Sequence, residues 1–150
     1  MANIRLGSHA SHEYQVAETI AEAKQLTWND SGKLFFVEQG TGTYVINLPK
    51  LSEEICGWQT KFLVSKLGDA VEINVYGSPA GGNSGVEDEE KVNYIEVTIN
   101  GPVLDTTTDG MQLTTSLNAL GTYVEVVTDG TKWYIAGIAH NAGSIAKVGA

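Results

Sequence analysis

The 150-residue sequence holds one cysteine, three prolines and three histidines, and only nine Lys and Arg against eighteen Asp and Glu. A lone cysteine, Cys56, excludes an internal disulfide and any CxxC-type zinc site. With a formal net charge of −9 and no cluster of cations, the chain lacks the basic face that phosphate binding requires, so nucleic acid is not an expected partner. No apolar run approaches the ~20 residues of a membrane-spanning helix. The first residues, Met1 to Gly7, lack the charged-then-apolar shape of a secretory signal. The expectation is a soluble chain made in the cytoplasm, with no membrane partner. Charged residues are 18% of the total, below the roughly 25% of ordinary soluble domains.

What is present is glycine, seventeen of them, punctuating β-rich runs. Val71 to Tyr76 and Tyr94 to Ile99 alternate apolar and polar residues, the period-2 signature of half-buried strands. Lys33 to Glu38, Thr43 to Leu48 and Thr60 to Leu67 are β-branched or aromatic runs bounded by turn residues, and read as more deeply buried strands. A leading extended segment is expected near Thr19 to Thr27. Asp129-Gly130 suits a two-residue type I′ turn, which pairs Val126 with Trp133 and Val124 with Ile135. That places those four residues on one face, and Glu125, Val127, Lys132 and Tyr134 on the other. Asp109-Gly110 offers a second hairpin, joining Val103–Thr107 to Met111–Thr115. Ser52 to Cys56, stopped by Gly57, fits one helical turn with a serine cap. Residues 77–90, glycine-rich and then acidic, read as an exposed loop. The length suits one domain: an all-β fold, either an antiparallel, jelly-roll-like β-sandwich or a small β-barrel, over residues 16–150, preceded by an extended N-terminal arm over residues 1–15.

Catalytic constellations are thin. His9 and His12 are spaced to share a metal only on a helical turn, yet lie in the arm without a third ligand nearby, and read as polar arm residues. Cys56 reads as a small core thiol. Gly82-Asn83-Ser84-Gly85-Val86 lacks the last glycine of a nucleophile elbow and no helix follows it. Gly40-Thr41-Gly42 joins two strands, so it faces no helix N-terminus that could hold a phosphate. The acidic run 87–90 lacks interleaved calcium-ligand spacing. Neither enzymatic activity, metal nor cofactor is expected. Trp28, Trp58 and Trp133 could form a stacking platform for sugars, but Trp133 falls on the apolar face of its hairpin and Trp28 adjoins a turn, so core or rim packing is the expectation.

Two segments are less generic. Leu26-Thr27-Trp28-Asn29-Asp30-Ser31-Gly32-Lys33-Leu34-Phe35-Phe36-Val37, continuing to Tyr44-Val45-Ile46-Asn47-Leu48-Pro49, resembles a module of tailed-bacteriophage virion proteins. In that module an Asp-Ser-Gly turn leads into an aromatic strand and then a strand ending Leu-Pro. The run from Gly121 to Gly137 resembles the closing hairpin of the same family. Within the family, a free-standing chain of this size is most similar to small capsid decoration, or cement, proteins. The resemblance implies a homotrimer on the outer surface of the virion head that binds the major capsid protein and stabilises the shell. The arm lies outside the matched segments. On physical grounds alone, Ile4 and Leu6 are its apolar anchors, Arg5 a charge-assisted contact to an acidic shell, and His9 and His12 polar contacts. The alternative is a tail- or fibre-associated adhesin module holding a host-surface glycan on exposed aromatics.

Overall fold

The structure, a computed structural model, describes residues 16–82, 92–98, 102–105, 109–114, 119–139, 141 and 143–149. The strands are β1 (Val16–Ile20), β2 (Lys24–Gln25), β3 (Lys33–Glu38), β4 (Tyr44–Asn47), β5 (Gln59–Lys66), β6 (Val71–Asn74), β7 (Val92–Thr98), β8 (Pro102–Asp105), β9 (Gly110–Leu113), β10 (Tyr123–Thr128), β11 (Trp133–Ile138) and β12 (Ile145–Val148). Helix is confined, among the described residues, to two 3-10 turns at Trp28–Asp30 and Glu53–Ile55. A seven-stranded sheet runs β1-β3-β5-β10-β11-β7-β8, and a five-stranded sheet runs β12-β9-β6-β4-β2.

The all-β, sandwich-like expectation holds; the antiparallel and barrel alternatives do not. Both sheets are mixed, and neither closes on itself. The first six strands alternate between the sheets, so β1, β3 and β5 stack in parallel in one and β2, β4 and β6 in the other. Parallel neighbours need a crossover connection. Here each crossover is the strand in the opposite sheet, and the result is three flattened coils. Hydrophobic period tells which face of a strand is buried but not the direction of its neighbour, so the sequence pattern left this open. The leading segment expected near Thr19 to Thr27 is accordingly split into β1 and β2, one in each sheet.

Between the sheets lies one apolar layer. Phe35, Val37, Phe62, Val64, Val124, Val126, Trp133 and Ile135 face inward from the larger sheet, against Ile46, Val71, Ile73, Met111, Leu113 and Ile145 from the smaller. Phe35 and Phe62 are register partners and stack at 5.4 Å. Trp58 meets Trp133 edge-on at 5.4 Å, and its Nε1 donates to the Thr27 carbonyl at 3.1 Å. Trp133 Nε1 is buried without a hydrogen-bond partner.

Three local expectations are corrected. The C-terminal hairpin forms, but Val126 pairs with Ile135 and Thr128 with Trp133. Asp129 Oδ1 accepts from the Thr131 and Lys132 N–H groups at 2.8 Å each, and Oδ2 accepts from Tyr134 Oη at 3.0 Å. This widens the connection to four residues and shifts the register by two, which leaves every side chain on its expected face. The same bonds, those from Thr131 first, hold the Asp129 carboxyl well below its usual range. Asp109-Gly110 makes no hairpin, because β8 pairs with β7 in one sheet while β9 joins β6 and β12 in the other. Gly110 is there for close approach: a Cβ would come within 2.2 Å of the Ile73 carbonyl oxygen. The alternation at Val71–Asn74 does not leave a half-exposed strand either. The turn over residues 75–82 covers its outer side, with Gly81 N–H donating to buried Glu72 at 2.8 Å and Asn74 Nδ2 donating to the Pro79 carbonyl at 3.0 Å.

Two stability measurements follow. Urea denaturation of Gly110→Ala should show a loss on the order of 2–3 kcal/mol, since the new methyl would meet the Ile73 carbonyl oxygen and the Asn74 backbone as well as the Asn74 side chain. Trp58→Phe should cost about 1 kcal/mol more than Trp133→Phe, because only the former breaks a hydrogen bond; equal losses would show that the Thr27 bond contributes nothing.

Candidate interaction surfaces

Two surfaces stand out. The first is a cleft of about 470 Å³ between the turn before β3, the segment after β4 and the turn after β6. Its walls include Trp28 and Tyr76, which are 69% and 45% exposed. Leu26, Pro49 and Ile55 supply apolar surface, and Gln25, Lys50 and Glu54 supply polar groups.

Trp28 projects from a turn fixed on several sides. Asp30, buried at the end of the 3-10 turn, accepts from Thr27 N–H at 2.8 Å, from Thr27 Oγ1 at 3.1 Å and from Lys33 Nζ at 2.7 Å. Lys33 also bonds Glu18 at 2.9 Å, and Glu18 pairs with Lys24. Gly32, at φ 81°, takes the left-handed conformation that closes the turn, and its N–H donates to the Gln59 carbonyl at 2.7 Å. Burial alone would raise the Asp30 pKa; the bonds from Lys33 and Thr27 outweigh it and hold the carboxyl below its usual range. Lys24 and then Lys33 do the same for Glu18, while the bonds to Asp30 and Glu18 raise Lys33.

The second surface is the outer face of the seven-stranded sheet. Register brings Phe36, Leu63, Tyr123 and Ile138 into one row across β3, β5, β10 and β11. The first three are half-buried, and Ile138 is 47% exposed. The adjacent row is Leu34, Lys61, Glu125 and Ala136, in which Lys61 and Glu125 pair at 3.4 Å and Lys61 Nζ sits 3.8 Å from the Tyr123 ring centroid. Outward Val127 and Tyr134 form the next pair.

The arm residues named from sequence, Ile4, Arg5, Leu6, His9 and His12, lie outside the described residues, as does the acidic run 87–90. Trp133 and Trp58 are buried as expected, but Trp28 is neither core nor rim packing. Cys56 is exposed, with Ile55 taking the buried place in that turn. The turn is 3-10 and Gly57 ends it at φ 84°, but the Ser52 side chain makes no cap bond. Tyr76 was legible in principle: continuing the alternation of Val71, Ile73 and Val75 puts it on the opposite side. Among the described residues, no group of three or more His, Cys, Asp or Glu is placed to hold a metal ion, and no helix is long and apolar enough to cross a membrane. The chain matches no family model, no curated protein and no solved structure.

The Asp30 network sets an acid dependence. Its carboxylates have folded-state pKa values below their unfolded ones, so their stabilisation is complete above about pH 4–4.5 and is lost as pH falls through the folded values. Asp30→Asn should lose about 1.5–3 kcal/mol at neutral pH and flatten the acid limb of a stability-versus-pH curve measured by urea denaturation; an acid limb unchanged in the variant would remove Asp30 as its source.

Proposed function

We propose that the chain is a tailed-bacteriophage structural protein that decorates the outer surface of the head and cements the shell, as a homotrimer bound to the major capsid protein. The observation that carries this reading is the apolar row Phe36–Leu63–Tyr123–Ile138 on the outside of the larger sheet. A protein that works alone in water gains nothing from such a face, whereas a subunit contact needs one, with few charges at its centre. Lys61 and Glu125 beside it already neutralise one another. The two segments that carry the family resemblance also converge: β3 and the β10–β11 hairpin flank β5 in this same sheet.

The chain passes from the arm directly into β1, the terminal strand of that sheet among the described residues. An arm leaving an edge strand can lie across a neighbouring subunit, and Ile4, Arg5, Leu6, His9 and His12 are the contacts it offers. Ordering such a segment is costly, but it covers a large area. A trimer multiplies weak contacts into a high effective affinity. Because the protein binds the assembled shell and not free capsid subunits, mass action stabilises assembly. The net charge of −9 keeps the outer surface soluble and repels DNA. In this role the chain has no catalytic step and needs no cofactor.

Deletion of residues 2–12 should leave the body folded and abolish occupancy on isolated heads; undiminished occupancy would sink the arm's role. Ile138→Asp should convert a trimer to monomers in sedimentation without lowering monomer stability. The decoration reading fails if the unmodified chain is monomeric at every concentration tested and particle maps place no threefold cluster of it on the head.

A further inference from the structure

We infer that the Trp28–Tyr76 cleft is a binding site for a neutral sugar, a single pyranose ring of a glycan. The site is separate from the outer sheet face, and the inference stands whether or not the chain decorates a capsid. Its volume of about 470 Å³ lies within the range of small-ligand clefts, roughly 300–1,000 Å³. Two aromatic side chains that expose this much ring to water are unusual in a chain whose other tryptophans are buried. The face of such a ring offers an apolar, polarisable shelf for the C–H face of a sugar.

The polar lining matches hydroxyl groups, which both donate and accept. Lys50 and Glu54 make no ion pair or hydrogen bond with any described residue, so an ammonium and a carboxylate stand free on the cleft. Gln25 spends its Nε2 on the Leu26 and Leu48 carbonyls, at 2.9 and 3.0 Å, which holds the amide in place and leaves its Oε1 to accept. One positive and one negative group cancel, which favours a neutral sugar over a uronic or sialic acid. A purely apolar ligand would strand both charges. The Trp28 turn is held by Asp30, by Trp58 and by the Gln59 carbonyl, so little ordering is needed on binding.

The test uses the full chain with glucose, galactose and N-acetylglucosamine as probes. Because Trp58 and Trp133 are buried, acrylamide quenching of tryptophan fluorescence reports chiefly on Trp28. At least one sugar should protect it saturably and shift the Trp28 indole resonance. Trp28→Ala should weaken binding by about tenfold or more, with Trp28→Phe retaining part of it. Tyr76→Ala should weaken binding without changing the spectrum of the core. No saturable response to any of the three sugars, or a response that survives Trp28→Ala, would overturn the site. So would a Trp28→Ala variant that changes the sedimentation coefficient while neither protein responds to sugar, since the cleft would then be a contact between copies.

Discussion

Trp58 joins the turn before β3 to the closing hairpin at the end of the sheet where β5 pairs with β10. Its ring packs edge-on against Trp133 of the closing hairpin, and its Nε1 holds the Thr27 carbonyl at the start of the turn that carries Trp28. The backbone repeats the link, with Thr128 N–H donating to the Trp58 carbonyl at 3.1 Å and Gly57 N–H donating to Thr128 at 2.9 Å. The coiled N-terminal half and the C-terminal hairpin are thus clamped at one end of the larger sheet. The position of the exposed aromatic on that end follows from the placement of a buried one. Trp133 supplies shape to this contact and no hydrogen bond, so on the side-chain level the clamp rests on ring packing and the Trp58 donor, beside the two backbone bonds.

The two surfaces have different physical characters, which is why they suit different partners. The outer sheet face carries an apolar row across four strands, and the Lys61–Glu125 pair beside it is internally satisfied. An apolar row of this extent rewards a large partner of matching shape. The cleft is small and concave, and its Lys50 and Glu54 pair with no described residue, which rewards a ligand rich in hydroxyls. In the role proposed above, one would serve its place in the shell and the other would face outward.

How much of this was legible in sequence depended on the range of the signal. β3 was read to the residue because Lys33 to Glu38 is bounded by glycines within two residues on either side, and its inward Phe35 and Val37 follow from local alternation. Inward and outward residues of the closing hairpin were also correct, because a register slip of two preserves parity. The slip came from an Asp129 side chain that replaces backbone bonds in the turn, a choice the Asp-Gly pair does not reveal. Asp109-Gly110 misled for the opposite reason: its glycine serves a neighbour distant in sequence, not a turn. Cys56 and Trp28 were misplaced because their exposure is decided by which element comes to lie over them. Outside the closing hairpin strand direction was illegible, since parallel and antiparallel neighbours impose the same alternation on an individual strand.

The alternation of the first six strands between sheets bears on how the chain acquires its fold. Each early coil finds its partner in the coil just laid down: Phe35 pairs with Phe62, and Ile46 with Ile73. The hairpin must instead return to β5, where Leu63 meets Tyr123, and this contact closes a loop of sixty residues. Closing a loop of that size costs more entropy than stacking consecutive coils, and the cost precedes the contacts that reward it. The seam between β5 and β10 therefore carries a larger closure cost than the stacking of consecutive coils. Until it shuts, the edge of β5 that pairs with β10 stands open, and its backbone N–H and C=O groups are free to pair with another copy of the chain.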